Sequence, residues 1–246
     1  MYILLANFCF LEICYISSNV PNMLLNFLSK TKTISYNGCI LQFYIFLSLC
    51  ATELFFLSLM AFDRYVAICC PLHYLIIMTK KVYGSLVAAC RVGGFLWLLT
   101  PATLISQVPF CSSNMIDHYL CDLGATLAIS CVPVPKTTLT CSIFSAVILF
   151  ITLFFILVSY TLVLRTVLQL PKGSSRKKAF STCASYRIVV SLFYVMYVTP
   201  GVANQPGMQK FVTMFYSIAT PLLNPLIYSL QNKEMKLALR KVLCKV

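Results

Sequence analysis

Apolar and polar positions fall along this chain in long blocks rather than in residue-by-residue alternation. Six nearly unbroken apolar runs, about 1–28, 39–62, 82–106, 138–164, 179–199 and 209–230, are separated by short polar or basic links. A helix needs about 20 apolar residues to cross the hydrocarbon of a bilayer, and each run supplies them. The pattern therefore predicts six membrane-spanning helices in one domain, 1–246. Beyond the last run, Lys233, Lys236, Arg240 and Lys241 are interleaved with Met235, Leu237, Leu239, Val242 and Leu243. That reads as a short amphipathic helix lying in the membrane interface over 232–246, with Cys244 a candidate for palmitoylation.

Composition points the same way. Of the 246 residues, 60% are hydrophobic and 10% charged, and the mean hydropathy is +0.87. A soluble core of this size could not hide so much apolar surface. The net charge of +13, from 19 Lys and Arg against 6 Asp and Glu, would suit nucleic acid if it lay along one polar face. Here it lies between apolar runs, so the partner is the lipid bilayer and not nucleic acid. On one side stand Arg64, Lys80, Lys81, Arg91, Arg165, Lys172, Arg176, Lys177, Lys178, Arg187, Lys233, Lys236, Arg240, Lys241 and Lys245; on the other only Lys30, Lys32, Lys136 and Lys210. The rich side is cytoplasmic, which puts both chain ends inside. The first run has no basic n-region and is too long for a cleavable signal peptide.

Ionisable groups inside the runs are few. Glu12 and Glu53 each sit alone in a span, where a carboxyl is costly unless it is protonated or faces a polar cavity. Two readings stay open, a shared polar site in the bundle interior or two unrelated protonated carboxyls. Arg91 lies about two turns in from the basic end and can snorkel back to it. Gly93-Gly94 allow close helix approach, and Trp97 reads as packing. In the long polar connection 107–137, Asp117 and His118 have no third ligand or nucleophile beside them, so they read as a surface pair.

The thirteen cysteines show no zinc-ligand spacing. Four of them, Cys39, Cys111, Cys121 and Cys131, share the exterior side, where disulfides persist. Four cysteines permit three pairings, and sequence alone does not choose among them. No nucleophile–base pair or metal cluster is visible, so the chain does not read as an enzyme. A transporter or channel, the remote alternative, would show intramembrane charges along a path and often repeated halves; two carboxyls and no visible repeat argue against it.

The stretch Met60-Ala61-Phe62-Asp63-Arg64-Tyr65-Val66-Ala67-Ile68-Cys69-Cys70-Pro71-Leu72-His73-Tyr74 resembles the inner end of the third helix of olfactory receptors, a group of rhodopsin-like G-protein-coupled receptors. Pro109-Phe110-Cys111 through Cys121-Asp122 resembles their second extracellular loop. Lys178 to Ser185 resembles the start of their sixth helix, and Asn224-Pro225-Leu226-Ile227-Tyr228 the end of their seventh. The resemblance covers essentially the whole chain. It implies an all-α fold, a rhodopsin-like seven-helix bundle that begins at the second helix and so has six spans, with the amphipathic tail. Two departures stand out. Tyr186-Arg187 occupies the place of a usual His-Leu, and about four residues are missing after Tyr194. The 21 residues from Ala179 to Thr199 give a helix of about 31 Å, barely one hydrocarbon thickness.

What the resemblance implies for function is a multi-pass plasma-membrane receptor for small volatile odorants that activates a heterotrimeric stimulatory G protein. By matching positions, Phe46, Leu47, Cys50, Ala51, Phe144, Ser145, Ile148 and Met214 line the ligand pocket. Asp63, Arg64, Tyr65, Tyr160, Asn224, Pro225 and Tyr228 form the inner switch that meets the G protein. Glu12 and Glu53 hold the polar centre, where the family places a sodium ion. The implied disulfides are Cys39–Cys121 and Cys111–Cys131. The alternative within the family is a truncated, signalling-incompetent receptor.

Overall fold

A computed structural model describes residues 2–28, 33–110, 120–121 and 123–169. Among these, six helices follow in order: α1 (Tyr2–Leu28), α2 (Tyr36–Cys69), α3 (Tyr74–Ile77), α4 (Lys80–Ser106), α5 (Leu123–Ala128) and α6 (Pro135–Gln169). Four of them, α1, α2, α4 and α6, are long and apolar enough to cross a membrane. The last two runs and the basic tail lie outside the described residues.

The helices overrun the apolar blocks that announce them. α2 begins at Tyr36, ahead of the run at 39, and continues through Asp63-Arg64-Tyr65 to Cys69; α6 extends the 138–164 run at both ends. Apolar content marks the hydrocarbon, whereas the helical hydrogen-bond ladder continues until a cap or breaker stops it. Local chemistry sets the ends. The Ser35 side chain accepts from the Gly38 amide at 3.1 Å, and Thr79 accepts from Val82 at 3.4 Å, both as N-caps. Pro135 opens α6 at the position where its missing N–H costs nothing. Pro71 follows the end of α2.

α2 is the central post. It packs against α1, α4 and α6, and 72% of its most apolar window is buried, against 22% for α4 and for α6. The outer faces of the latter two, with Leu96, Phe150 and Phe154 exposed, belong to lipid. The crossing of α2 and α4 hinges on Gly94. A Cβ there would meet the Thr52 hydroxyl, the Thr52 amide nitrogen at 2.8 Å and the Ser48 carbonyl at 3.0 Å. Its neighbour Gly93 would meet only the Phe55 ring, at 3.5 Å. One glycine of the pair makes the crossing, as close approach in membrane bundles requires. Buried hydroxyls turn back on their own helices, Thr52 to Ser48 O and Thr152 to Ile148 O, each at 2.7 Å. In hydrocarbon this removes a donor that water cannot satisfy.

At the end away from the basic residues, a disulfide joins Cys39 to Cys121 with Cα atoms 5.5 Å apart. Tyr36 donates to Ser106 O at 2.8 Å and lies against the Phe110 ring. Phe110 pairs with Ser130 in an isolated antiparallel bridge. The polar connection of 107–137 is thus not a bare loop: it contains α5, and it is stitched to the heads of α2 and α4.

Candidate functional site

Two places bring the sequence-nominated residues together, one toward each end of the bundle. Toward the disulfide end, α2, α4 and α6 enclose a cavity of about 40 Å³. Leu47, Ala51, Phe144, Ser145 and Ile148, all nominated from sequence, line it. Phe46 and Cys50 do not. Phe46 lies on Tyr15 of α1 at 5.0 Å between ring centroids, and the Cys50 thiol donates to the Tyr15 hydroxyl at 3.4 Å. Both side chains belong to the α1–α2 seam. Met214 lies outside the described residues.

The cavity has walls that the sequence reading passed over. Trp97 lines it from α4, together with Leu98 and Pro101, and Leu123 of α5 closes it from the loop side. The Trp97 indole donates to Phe144 O at 3.3 Å and lies 5.4 Å from that ring. So the tryptophan does pack, as expected, but against a pocket wall. Ser145 supplies the one hydroxyl among the lining side chains; the rest is hydrocarbon, aromatic surface and the Cys141 thiol. Such a site can select for shape and apolar surface, with a single polar anchor to orient a ligand.

At the basic end, Asp63 is buried at the foot of α2. Its carboxylate does not turn to Arg64. Oδ1 accepts from the Tyr74 hydroxyl of α3 at 3.0 Å and, in a very short contact, from the Tyr83 hydroxyl of α4. The two phenols lie 2.8 Å apart. The triad closes α2, the α3 loop and α4 into one hydrogen-bonded unit. Burial first, with the Asp63 charge adding to it, raises the Tyr74 phenol above the usual tyrosine range, so it stays a protonated donor at physiological pH. Arg64 and Tyr65 are half-buried beside the triad, and no carboxylate pairs with Arg64 among the described residues. Tyr160 is buried on α6, and Cys69 reaches Thr166 across the same end at 3.2 Å. Asn224, Pro225 and Tyr228 lie outside the described residues.

Glu12 and Glu53 are both buried, at 2% and 1% exposure, on the adjacent helices α1 and α2. Among the described residues no group of three His, Cys, Asp or Glu is placed to hold a metal ion. Cys131 is disulfide-bonded, like Cys39 and Cys121; Cys111 lies outside the described residues, as do Asp117 and His118.

The helical bundle thus carries an apolar cavity toward one end and an Asp-Arg-Tyr unit at the other. The family model described as Olfactory receptor matches residues 1–246. This chain belongs to the olfactory receptor family. Among curated human relatives, Olfactory receptor 11H6 is 59% identical over 247 residues, covering 99% of this chain and 75% of the relative. Olfactory receptor 11H1 is 56% identical, with 99% and 76% covered, and Olfactory receptor 11G2 is 56% identical, with 98% and 71% covered. The chain is therefore a multi-pass receptor of the plasma membrane, and not an enzyme.

Proposed function

We propose that this olfactory receptor holds a small, mostly apolar odorant in the cavity between α2, α4 and α6 and relays its presence to a stimulatory G protein at the basic end. The observation that carries the proposal is the cavity itself. Five of the eight side chains nominated for ligand contact converge on one void, and the walls match the chemistry of a volatile apolar molecule. At about 40 Å³ it holds a water or two, whereas an apolar cavity of about 150 Å³ is what takes up benzene. A ligand must therefore select an expanded arrangement of the three helices, and that expansion is the signal. At the other end, Leu72, Leu75 and Ile76 are exposed in and just before α3, shortly past Asp63-Arg64-Tyr65, and an exposed apolar surface suits a protein partner. Glu12 and Glu53 supply the hard oxygen donors that a sodium ion would need between α1 and α2, and such an ion would offset the cost of two buried carboxylates.

The test is odorant-evoked cAMP in cells that display the chain at their surface, with Ile148→Trp to fill the cavity and Arg64→Ala to break the relay. The expected result is a response from the native chain, lost in both variants, with surface display kept. A response that survives Ile148→Trp would move the ligand elsewhere. Silence of the displayed native chain across a broad odorant panel would favour the signalling-incompetent receptor instead.

A further inference from the structure

Arg91 is the one cation deep in a described span, and its surroundings are unlike those of a core charge. It is half-buried on α4. Its Nη2 donates to the Asn7 amide oxygen of α1 at 2.9 Å, and its guanidinium stands over the Phe10 ring at 5.4 Å. Asn7 in turn donates to Ile3 O at 2.8 Å. Phe10 and Val92 are exposed and Asn7 is half-buried, so this cluster looks out to lipid through the α1–α4 seam. No carboxylate pairs with Arg91 among the described residues, and Glu12 is buried on the far side of α1.

Depth decides what completes the site. With 27 residues from its N-cap Thr79, α4 is about 40 Å long, against about 30 Å of hydrocarbon; its first turn stands among headgroups. Arg91 lies 11 residues, about 16 Å, above the start of α4, and the side chains of α4 lean toward its N-terminus. The guanidinium, on its long apolar stem, thus reaches back toward the inner hydrocarbon border. The nearest acceptors outside the protein at that level are phospholipid phosphates. A guanidinium carries five N–H donors in a fork that matches two phosphate oxygens. Along the same face of α4, toward the cytoplasm, come Ala88, Gly84 and Lys80, all exposed, with nothing within 4 Å of where a Gly84 side chain would stand. Lys80 and Lys81 put two further positive charges at headgroup level, the side on which an acidic lipid carries its extra charge.

We propose that the α1–α4 seam is a binding site for one acidic phospholipid of the inner leaflet, with its phosphate on Arg91 and Asn7 and its headgroup charge over Lys80 and Lys81. The site is separate from the odorant cavity, which lies across α4.

The test uses the full chain in nanodiscs, of phosphatidylcholine alone or with phosphatidylserine, reading thermal stability and the number of lipids retained by native mass spectrometry. The expected result is one retained phosphatidylserine and a melting temperature raised by that lipid. Arg91→Gln should weaken retention about fivefold, Arg91→Lys should keep part of it, and Arg165→Gln, at the same end but on α6, should leave it unchanged. Equal retention by native chain and Arg91→Gln overturns the site, as does an equal loss in Arg165→Gln, which would mark diffuse surface charge. Should Arg91→Gln fail to fold, the paired Lys80→Gln, Lys81→Gln variant decides. The site requires it to retain phosphatidylserine less well than the native chain while its melting temperature in phosphatidylcholine stays the same; unchanged retention refutes the site.

Discussion

The two ends of this receptor are built on opposite principles. The basic end is held by directed bonds: one carboxylate, two phenols and a thiol–hydroxyl contact tie α2, α3, α4 and α6 together at 3.2 Å or closer. Around the cavity itself the helices meet by apolar contact, with one indole N–H bond across the void, while the Cys39–Cys121 disulfide ties the loop beyond it. Directed bonds have one good geometry, and dispersion has many, so the first end is fixed in shape and the second adaptable. A sensor needs that division. On the proposed reading, the cavity end accepts ligands of several shapes, and the basic end reports a single event.

The element joining the two ends is the Gly94 crossing, and breaking it has the largest expected effect. Gly94→Ala drives a methyl into the Thr52 and Ser48 backbone, and helices cannot part there without opening the cavity below Leu98. We expect about 3 kcal/mol of destabilisation, read as a large fall in melting temperature of the purified receptor. Gly93→Ala, one residue away against a single movable ring, should cost well under half as much. Similar losses from both would mean that the crossing does not depend on Gly94.

Next in size is the bonded end. Tyr83→Phe removes a charge-assisted hydrogen bond from a buried carboxylate, worth about 2 kcal/mol. Tyr74→Phe, from a half-buried phenol, should cost about 1 kcal/mol. Because each phenol also bonds the other, the double variant should cost measurably less than the sum. Additive losses would show that the three groups do not act as a unit. If the triad restrains the output state, both variants also raise basal cAMP, while cavity variants leave it unchanged.

How much of this was legible in the sequence differs along the same line. The first four apolar runs named the spans because length and hydrophobicity alone decide which segments sit in lipid. They did not fix where the helices end, since Ser35 and Thr79 cap chains that are already polar. On α2, Phe46, Leu47, Cys50 and Ala51 were nominated together, yet 46 and 50 face α1 while 47 and 51 face the cavity. A helix buried nearly all round has no polar stripe to give its phase, so sequence could name the region but not the side. Asp63 has Arg64 as its nearest opposite charge in sequence. Its actual partners lie 11 and 20 residues away, and only the turn of the α3 loop brings them in. Trp97 was visible, but an aromatic residue at helical spacing looks the same on a core face and on a pocket wall.

The smallest effect on stability should come from the sharpest probe of the cavity end. Ser145→Ala deletes the only hydroxyl among the cavity's lining side chains and leaves the volume almost unchanged, so the melting temperature should hardly move. What changes is recognition. A ligand bearing a hydroxyl or carbonyl loses one neutral hydrogen bond, about 1 kcal/mol, which is about a fivefold rise in the concentration for half-maximal cAMP. A hydrocarbon of the same shape loses nothing. Phe46→Leu, on the α1 seam, should shift both ligands alike, because it acts through the packing of α2 rather than on the ligand. If Ser145→Ala also shifts both alike, the adaptable end recognises by shape alone, and its single polar atom serves the fold and not the odorant.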